Sequence, residues 1–472
     1  MNLIYNVKDR PKFGQLVMFA FQQLLAIMAA TIAVPAIVGN GMTASAALFG
    51  AGVGTIVYQL FTKFRSPVFL GSSFAFLGSM FAAFAGAASM EMGYLGLIIG
   101  AAFAALVYVV IAIVVKLAGV KWITKLMPAV VIGPTVAIIG LCLAKNAVGD
   151  MMNGDVGPIV NGAVQGIASP YIALVCALVT LFVVIICSTY GTKTIRLVPF
   201  IIGILAGYAV ALVFTLIGNA NDIDALKIID FTPFKALVAD GVRFSTFISL
   251  PEFAFLKAWN GLKVLTPAYI GTIAVGYIPV AFVVFAEHLA DHKNLSTIVG
   301  KDLTTDPGLS RTLLGDGIGS LAGAFFGGCP NTTYGESIGC VAITGNASVI
   351  TITAAAILAM LSSFIAPFVA FLDSIPACVM GGVCMTLYGF IAVSGLKMLQ
   401  PVDLNENRNL FVASVILIAG VGLMSLDFVL KNGQTITITE VACALILGII
   451  TNLILSGKKK EEGKDEPQQI IK

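Results

Sequence analysis

The chain has 472 residues, of which 58% are hydrophobic and only 11% charged, and its mean hydropathy is +0.99. Soluble domains carry about 25% charged residues, so the composition excludes a soluble globular protein and points to a polytopic helical membrane protein. The net charge of +3 is small and no basic block lies outside the C-terminal tail, which argues against a nucleic-acid partner. The eight cysteines stand singly in apolar segments with no C-x-x-C pair, so neither a disulfide frame nor a zinc site is expected. They read as small core residues.

Apolar stretches long enough to span a bilayer are expected near 14–34, 43–62, 93–115, 127–146, 170–188, 197–217, 266–288, 312–328, 348–370, 376–396, 409–426 and 437–456. Two further stretches, 67–87 and 329–346, are apolar but interrupted, giving about fourteen segments in all. The polar N-terminus runs into the first span without a small-residue cleavage site, against a cleaved signal peptide.

The loops give the orientation. Lys8, Arg10, Lys12, Lys63, Arg65, Lys116, Lys121, Lys125, Lys193 and Arg196 all fall on one side. Lys293, Lys301, Arg311, Lys397, Arg408 and Lys458 to Lys460 continue the same series. The positive-inside rule names that side cytoplasmic. Opposite loops at 39–42, 88–93 and 373–376 carry no Lys or Arg. Both termini are therefore expected in the cytoplasm of a multi-pass cell-membrane protein. The expected organisation is a cytoplasmic N-terminus (1–13), a first repeat (14–217), an extracellular connection (218–265), a second repeat (266–456) and a charged cytoplasmic tail (457–472).

The two interrupted segments hold corresponding places. Each is third in its half, and PVFLGSSFAFLGS and CPNTTYGESIGCV share proline, small polar residues and an aromatic before a helix-compatible run. Seven spans per half is an odd number, so the halves run in opposite directions. Paired broken segments of this kind point to the central site of a transporter.

Irregular backbone at membrane depth survives only inside protein or beside a cavity. Glu336 lies in the second broken segment, near an expected helix start whose free N–H groups face a ligand. Glu287 closes the eighth span in VVFAEHLADH, beside His288 and His292, the only histidines in the chain. Glu287 and Asp291 are i and i+4 on one helical face. Asp291 and His292 look more exposed, and each histidine reads equally as a solvated loop-edge residue or as a proton carrier. Asp316, in TLLGDGIGS, reads as a packing partner of a broken segment or as a helper; Glu440 and Asp427 read as interface residues at span ends. Two carboxyls and two broken segments suit a small polar ligand that donates N–H bonds to acids and accepts them from helix starts. A cyclic imide such as a pyrimidine dione has that pattern. No metal or cofactor is expected, because no His/Cys cluster exists.

At four stretches the chain resembles the nucleobase–cation symporter-2 family, also called nucleobase–ascorbate transporters, and within it the uracil permeases most. These are GSSFAF (Gly71–Phe76), Ala286–His288 with Asp291, PNTTYGE (Pro330–Glu336) with Thr344-Gly345 beyond it, and MGGVCMTLYG (Met380–Gly389). The resemblance covers about 14–456. It implies an all-α membrane protein of fourteen segments in two inverted seven-segment repeats. Segments three and ten are then short strands joined to half-helices, and a core domain moves against a gate domain, commonly in a homodimer. It also implies a proton-coupled symporter importing uracil, with the base held by Glu287, Glu336 and main-chain amides at Phe74 and Gly335, near Tyr388. Proton coupling would involve Glu287, Asp291 or His288.

Three positions depart from the family pattern. Ser337 replaces an asparagine, removing an amide contact; Gln23 stands where several relatives have histidine; Asp291 stands where one type of uracil permease has histidine. The competing readings are a purine, xanthine or anion transporter of the same fold, and an intramembrane enzyme. An anion site calls for a basic residue at the broken helices, and an enzyme for a nucleophile–base pair; neither is apparent.

Overall fold

A computed structural model describes residues 3–119, 122, 126–160, 163–429 and 435–456. The expected charged tail at 457–472, together with Lys121 and Lys125, lies outside the described residues. Eight helical stretches among those described are long and apolar enough to cross a membrane, and four shorter apolar helices accompany them.

The first half runs α1 (Phe13–Val38), α2 (Ala44–Phe61), β1 (Leu70–Ser72), α3 (Leu77–Ala85) and α4 (Met90–Ala118). It continues with α5 (Ala129–Cys142), α6 (Ala144–Met151), β2 (Asp155–Val160), β3 (Ala163–Ile167), α7 (Pro170–Tyr190) and α8 (Pro199–Asn221). Side chains explain several starts: Thr43 accepts from the Ala46 amide before α2, and Ser89 from the Met92 amide before α4. After a connection with short helices at Thr232–Val238 and Ala254–Ala258 come α9 (Pro267–Val299), α10 (Leu309–Gly327), β4 (Asn331–Thr333) and α11 (Gly335–Thr344). The chain ends with α12 (Val349–Ser362), α13 (Ala366–Asp373), α14 (Ala377–Leu399), α15 (Asn407–Val421), β5 (Leu426–Val429), β6 (Thr435–Ile438) and α16 (Glu440–Ser456).

Helices cannot be driven together in lipid by apolar burial alone, so close backbone approach carries the packing. A Cβ on Gly50 of α2 would come within 2.6 Å of the Gly323 oxygen on α10, and one on Gly54 within 2.7 Å of the Gly319 oxygen. The same device joins α5 to α14, where a Cβ on Gly133 would lie 2.9 Å from the Gly395 oxygen. One glycine-lined pair thus centres the body formed by α1–α4 and α9–α13, and the other the body formed by α5–α8 and α14–α16.

Between these bodies the broken segments meet. β1 and β4 pair antiparallel in the register Leu70↔Thr333, Gly71↔Thr332 and Ser72↔Asn331. The pairing extends through Ser73 N to Pro330 O (2.9 Å) and Tyr334 N to Phe69 O (3.3 Å). From this ribbon α11 leaves directly, and α3 leaves after a tight turn at Phe74–Phe76. Each strand supplies the partner that the other lacks, which satisfies irregular backbone at membrane depth. At the far end of α11 the N-terminal segment lies across the chain: Ile4 N donates to Gly345 O at 2.7 Å and Ala347 N to Tyr5 O at 2.9 Å. Outside the spanning helices, Asp306 receives Lys301 and Arg65, in that order of effect, and their charges hold its carboxyl at about 2.

Several expectations need correction. The helix bearing Glu287 does not close at 288 but runs to Val299, because His288, His292 and Ser296 find partners inside the protein. Lys293 is therefore helical, not a loop residue. The span expected at 348–370 is broken into α12 and α13, and that at 127–146 continues as α6 to Met151. The fold is mostly helical but not purely so: hairpins β2–β3 and β5–β6 stand beside the broken-segment ribbon. Asp427 thus lies on a strand, where the thirteenth span was expected to end.

Candidate functional site

A cavity of about 400 Å³ separates the two bodies. Glu287, Asp291, Gly335 and Glu336 line one wall, and Phe200, Leu387, Ile391 and Ser394 line the other. It runs past Ile343 and the exposed Arg196 toward the end of the molecule on which the N-terminal segment lies. At its inner end a pocket of about 40 Å³ sits between Ser73 to Ala75 and Thr332 to Glu336, and it shares Glu287, Gly335, Glu336 and Ile391 with the larger space.

The local sequence explains the geometry. Glu336 occupies the first turn of α11, where an acid meets the positive end of the helix. Gly335 is exposed to the cavity, and a Cβ built there meets nothing within 4 Å. The amides of this first turn have no partner within α11, and Gly335 and Glu336 both line the space. Opposite, Phe74 begins the turn after β1 and lines the inner pocket. Glu287 reaches the same pocket from the middle of α9 and is half-buried.

One turn further, Asp291 lines the larger cavity and accepts from Thr333 Oγ1 at 2.6 Å, which ties α9 to β4. The expectation that Asp291 and His292 are exposed is overturned: Asp291 is half-buried and His292 fully buried. His288 is also fully buried, so neither histidine is a solvated loop-edge residue. They point away from the cavity, toward α10 and α2. His288 Nδ1 lies 2.8 Å from Asp316 Oδ2, and His292 Nε2 lies 2.7 Å from the Tyr58 hydroxyl.

Tyr388 lines neither space. Its ring packs edge-on against Phe74, with centroids 5.8 Å apart, so it reaches the pocket through that ring.

Three features were not anticipated. Ser337 has partners of its own: its Oγ receives Gln23 Nε2 and, at 3.1 Å, Phe69 N, knitting α1, α11 and the approach to β1 together. The Thr333–Asp291 bond joins two stretches singled out separately. Arg196 was counted only for its charge, yet it lines the outer part of the cavity, held there by the carbonyls of Gly191 and Thr189 at 2.8 Å each. The two departures, Gln23 and Ser337, hinted at one another, but nothing in their spacing shows that they touch.

A helical membrane body holds two short helices that leave a shared ribbon beside a cavity lined with carboxylates, the arrangement of a transporter's central site. The arrangement matches solved transporters of the same fold. The transmembrane domain of the cyanobacterium bicarbonate transporter BicA superposes with a TM-score of 0.61 at 16% identity, over 94% of this chain and 99% of that one. Murine Slc26a9, an anion transporter in the inward-facing state, gives 0.60 at 12% identity, over 95% of this chain and 69% of that one. The chain belongs to the permease family, the nucleobase–cation symporter-2 family, whose profile covers residues 14–428. The uracil permease of Bacillus caldolyticus is 38% identical over 96% of this chain and 95% of its own length. That of Bacillus subtilis (strain 168) is 37% identical over 98% of both chains. That of Escherichia coli (strain K12) is 32% identical over 95% of this chain and 94% of its own.

Proposed function

We propose that the protein imports uracil with a proton across the cytoplasmic membrane, by movement of the body formed by α1–α4 and α9–α13 against the other. The observation that carries this reading is the convergence of Glu287, Glu336, Gly335 and Phe74 on one small pocket, where the main-chain amides of the last two would meet the ligand. A pyrimidine dione presents ring N–H donors to the carboxylates and carbonyl oxygens to the amides. Bases extended by a second ring have little room at the inner end. An anion would meet two acids there, and the basic lining residue, Arg196, stands at the outer part of the cavity.

In this reading Glu287 takes up the coupled proton, because it is half-buried on an apolar helix and faces both the ligand and the cavity. Asp291 sits between Glu287 and the mouth and is the next acid on the proton's path. The cavity faces the cytoplasm, as do both termini. Family resemblance supports the homodimer and the alternating motion.

The test is binding of a panel of bases to the purified protein by thermal shift, since a ligand of the native state alone must stabilise it. Uracil is expected to raise the melting temperature more than xanthine, guanine or bicarbonate. A larger shift from any of those overturns the assignment. In vesicles, uptake is expected to be faster with acid outside.

A further inference from the structure

Beside the substrate pocket, on a different face of α9, lies a polar cluster of His288, His292, Asp316 and Tyr58, none of which lines either space. His288 is about 100° round the helix from Glu287 and is 0% exposed, as is Asp316. The titratable groups around the ring are Asp316 on α10 and Tyr58 on α2 through His292, with Tyr108 on α4 beside Gly317 of α10, Glu287 and Asp291 on its own helix, and Glu336 beyond them.

The hydrogen bonds count the protons. With the Thr312 hydroxyl donating to Leu309 O at 3.0 Å, its oxygen accepts from His288 Nε2 at 3.0 Å, and in that arrangement Nε2 carries a hydrogen. The other nitrogen, Nδ1, is 2.8 Å from Asp316 Oδ2, and a hydrogen must lie between them. Whether written as imidazolium with carboxylate or imidazole with acid, the pair is neutral as a whole. Neutrality is what lets two such groups lie fully buried at membrane depth. His292 Nδ1 donates to the His288 carbonyl at 2.8 Å, and its Nε2 lies 2.7 Å from the Tyr58 hydroxyl, which itself donates to Ser66 Oγ at 2.8 Å. Its ring stacks on that of His288, with centroids 4.0 Å apart.

Asp316 also meets the side chain of Thr332, which lines the inner pocket. Thr312 spends its hydrogen on a carbonyl, and His292 meets His288 only through main chain and ring face. The cluster does fix geometry. It locks the rotation of α9 against α10 and α2 at the level where Glu287 and Asp291 face the pocket.

We propose that His288, paired with Asp316, is a positioning residue that aims Glu287 at the ligand. The proposal rests on Glu287 binding uracil, as argued above.

The test is a double-substitution cycle on the full-length protein, reading uracil affinity and the pH dependence of uptake in vesicles. His288→Gln is expected to weaken uracil binding by about tenfold or more, the scale of outer-shell support residues, with the pH midpoint of residual uptake unmoved. In a Glu287→Gln background the same change is expected to add little, because its effect runs through Glu287. Equal losses in both backgrounds would make the pair a general packing element and overturn the proposal. A His288→Gln protein that exchanges uracil but cannot use a pH gradient would make His288 the carrier, and overturn it equally. Asp316→Asn carries the same cycle where His288→Gln does not fold. Failure of the unsubstituted protein to bind uracil at all would instead strike the transport assignment.

Discussion

Glu336 is held in a setting no other side chain reproduces, with its carboxylate at the positive end of α11 and its main chain at the mouth of the pocket. If it accepts a ring N–H of uracil, Glu336→Ala leaves a buried ligand donor unpaired, at a cost of about 1–3 kcal/mol or more. Uracil binding is then expected to vanish from a titration that reads the unsubstituted protein easily, and near-normal affinity would remove Glu336 from the site. Gly335 makes a sharper test. A Cβ there meets no protein atom within 4 Å, so Gly335→Val is expected to fold and melt normally while filling the space a ligand needs. An active Gly335→Val transporter would place the base elsewhere. For Glu287 the expectation separates binding from coupling. Glu287→Gln keeps a hydrogen-bonding oxygen but cannot release a proton, so it is expected to bind uracil in part and to lose gradient-driven accumulation. Vesicles loaded at an imposed pH difference decide this: accumulation by the Gln variant would shift the coupling role to Asp291.

The elements themselves were legible to different depths. The two broken segments could be placed from proline, glycine and small polar residues interrupting apolar runs, and the antiparallel ribbon sits where those interruptions lie. The end of α9 could not, because hydropathy falls at Glu287 whether the helix stops or continues into buried polar partners. His288 and His292 owe their burial to Asp316, Thr312 and Tyr58, which lie on other helices far along the chain. The hairpins were hidden for another reason: β2–β3 lies in the connection between the spans expected at 127–146 and 170–188, and β5–β6 in that between 409–426 and 437–456, overlapping them only at their edges. The close approach of α2 to α10 was foreshadowed only as an abundance of glycine. Its energetics are open to measurement: Gly50→Val would press a side chain against the Gly323 carbonyl, which is main chain and cannot swing aside. Overpacking of this kind costs about 1–3 kcal/mol, and a lower melting temperature is expected, with uracil affinity the less affected of the two.

At the scale of the whole molecule, the cavity and its opposed walls define the motion to be tested. Ala290 lies on the α9 wall and Ser394 on α14 across from it. A single cysteine at Ala290, in a background with the native cysteines replaced, is expected to react with a polar thiol reagent from the side bearing the N-terminus. Saturating uracil is expected to slow that reaction. Equal reactivity from both sides, or no protection, would mean that the cavity is not the route of the ligand. The family was legible because its motifs fall on the pocket itself. The walls were not, since Phe200, Leu387 and Ile391 look like any lipid-facing residue until the two bodies are set side by side.

The ribbon of β1 and β4 bears on how the protein is made. Leu70 to Ser72 enter the bilayer early in synthesis, but the strand that completes their hydrogen bonds arrives only when the second half of the chain emerges. At about 5–20 residues per second, the first strand waits on the order of tens of seconds without its partner. Meanwhile its exposed amides and carbonyls must be sheltered by the insertion machinery, by water or by neighbouring helices. Thr55, which bonds both the amide and the carbonyl of Leu70 at 2.9 and 3.2 Å, is already present and can hold the strand through that interval. Biogenesis of this transporter is thus a rendezvous between two halves, and a lesion in either strand is felt as a failure of the other to settle.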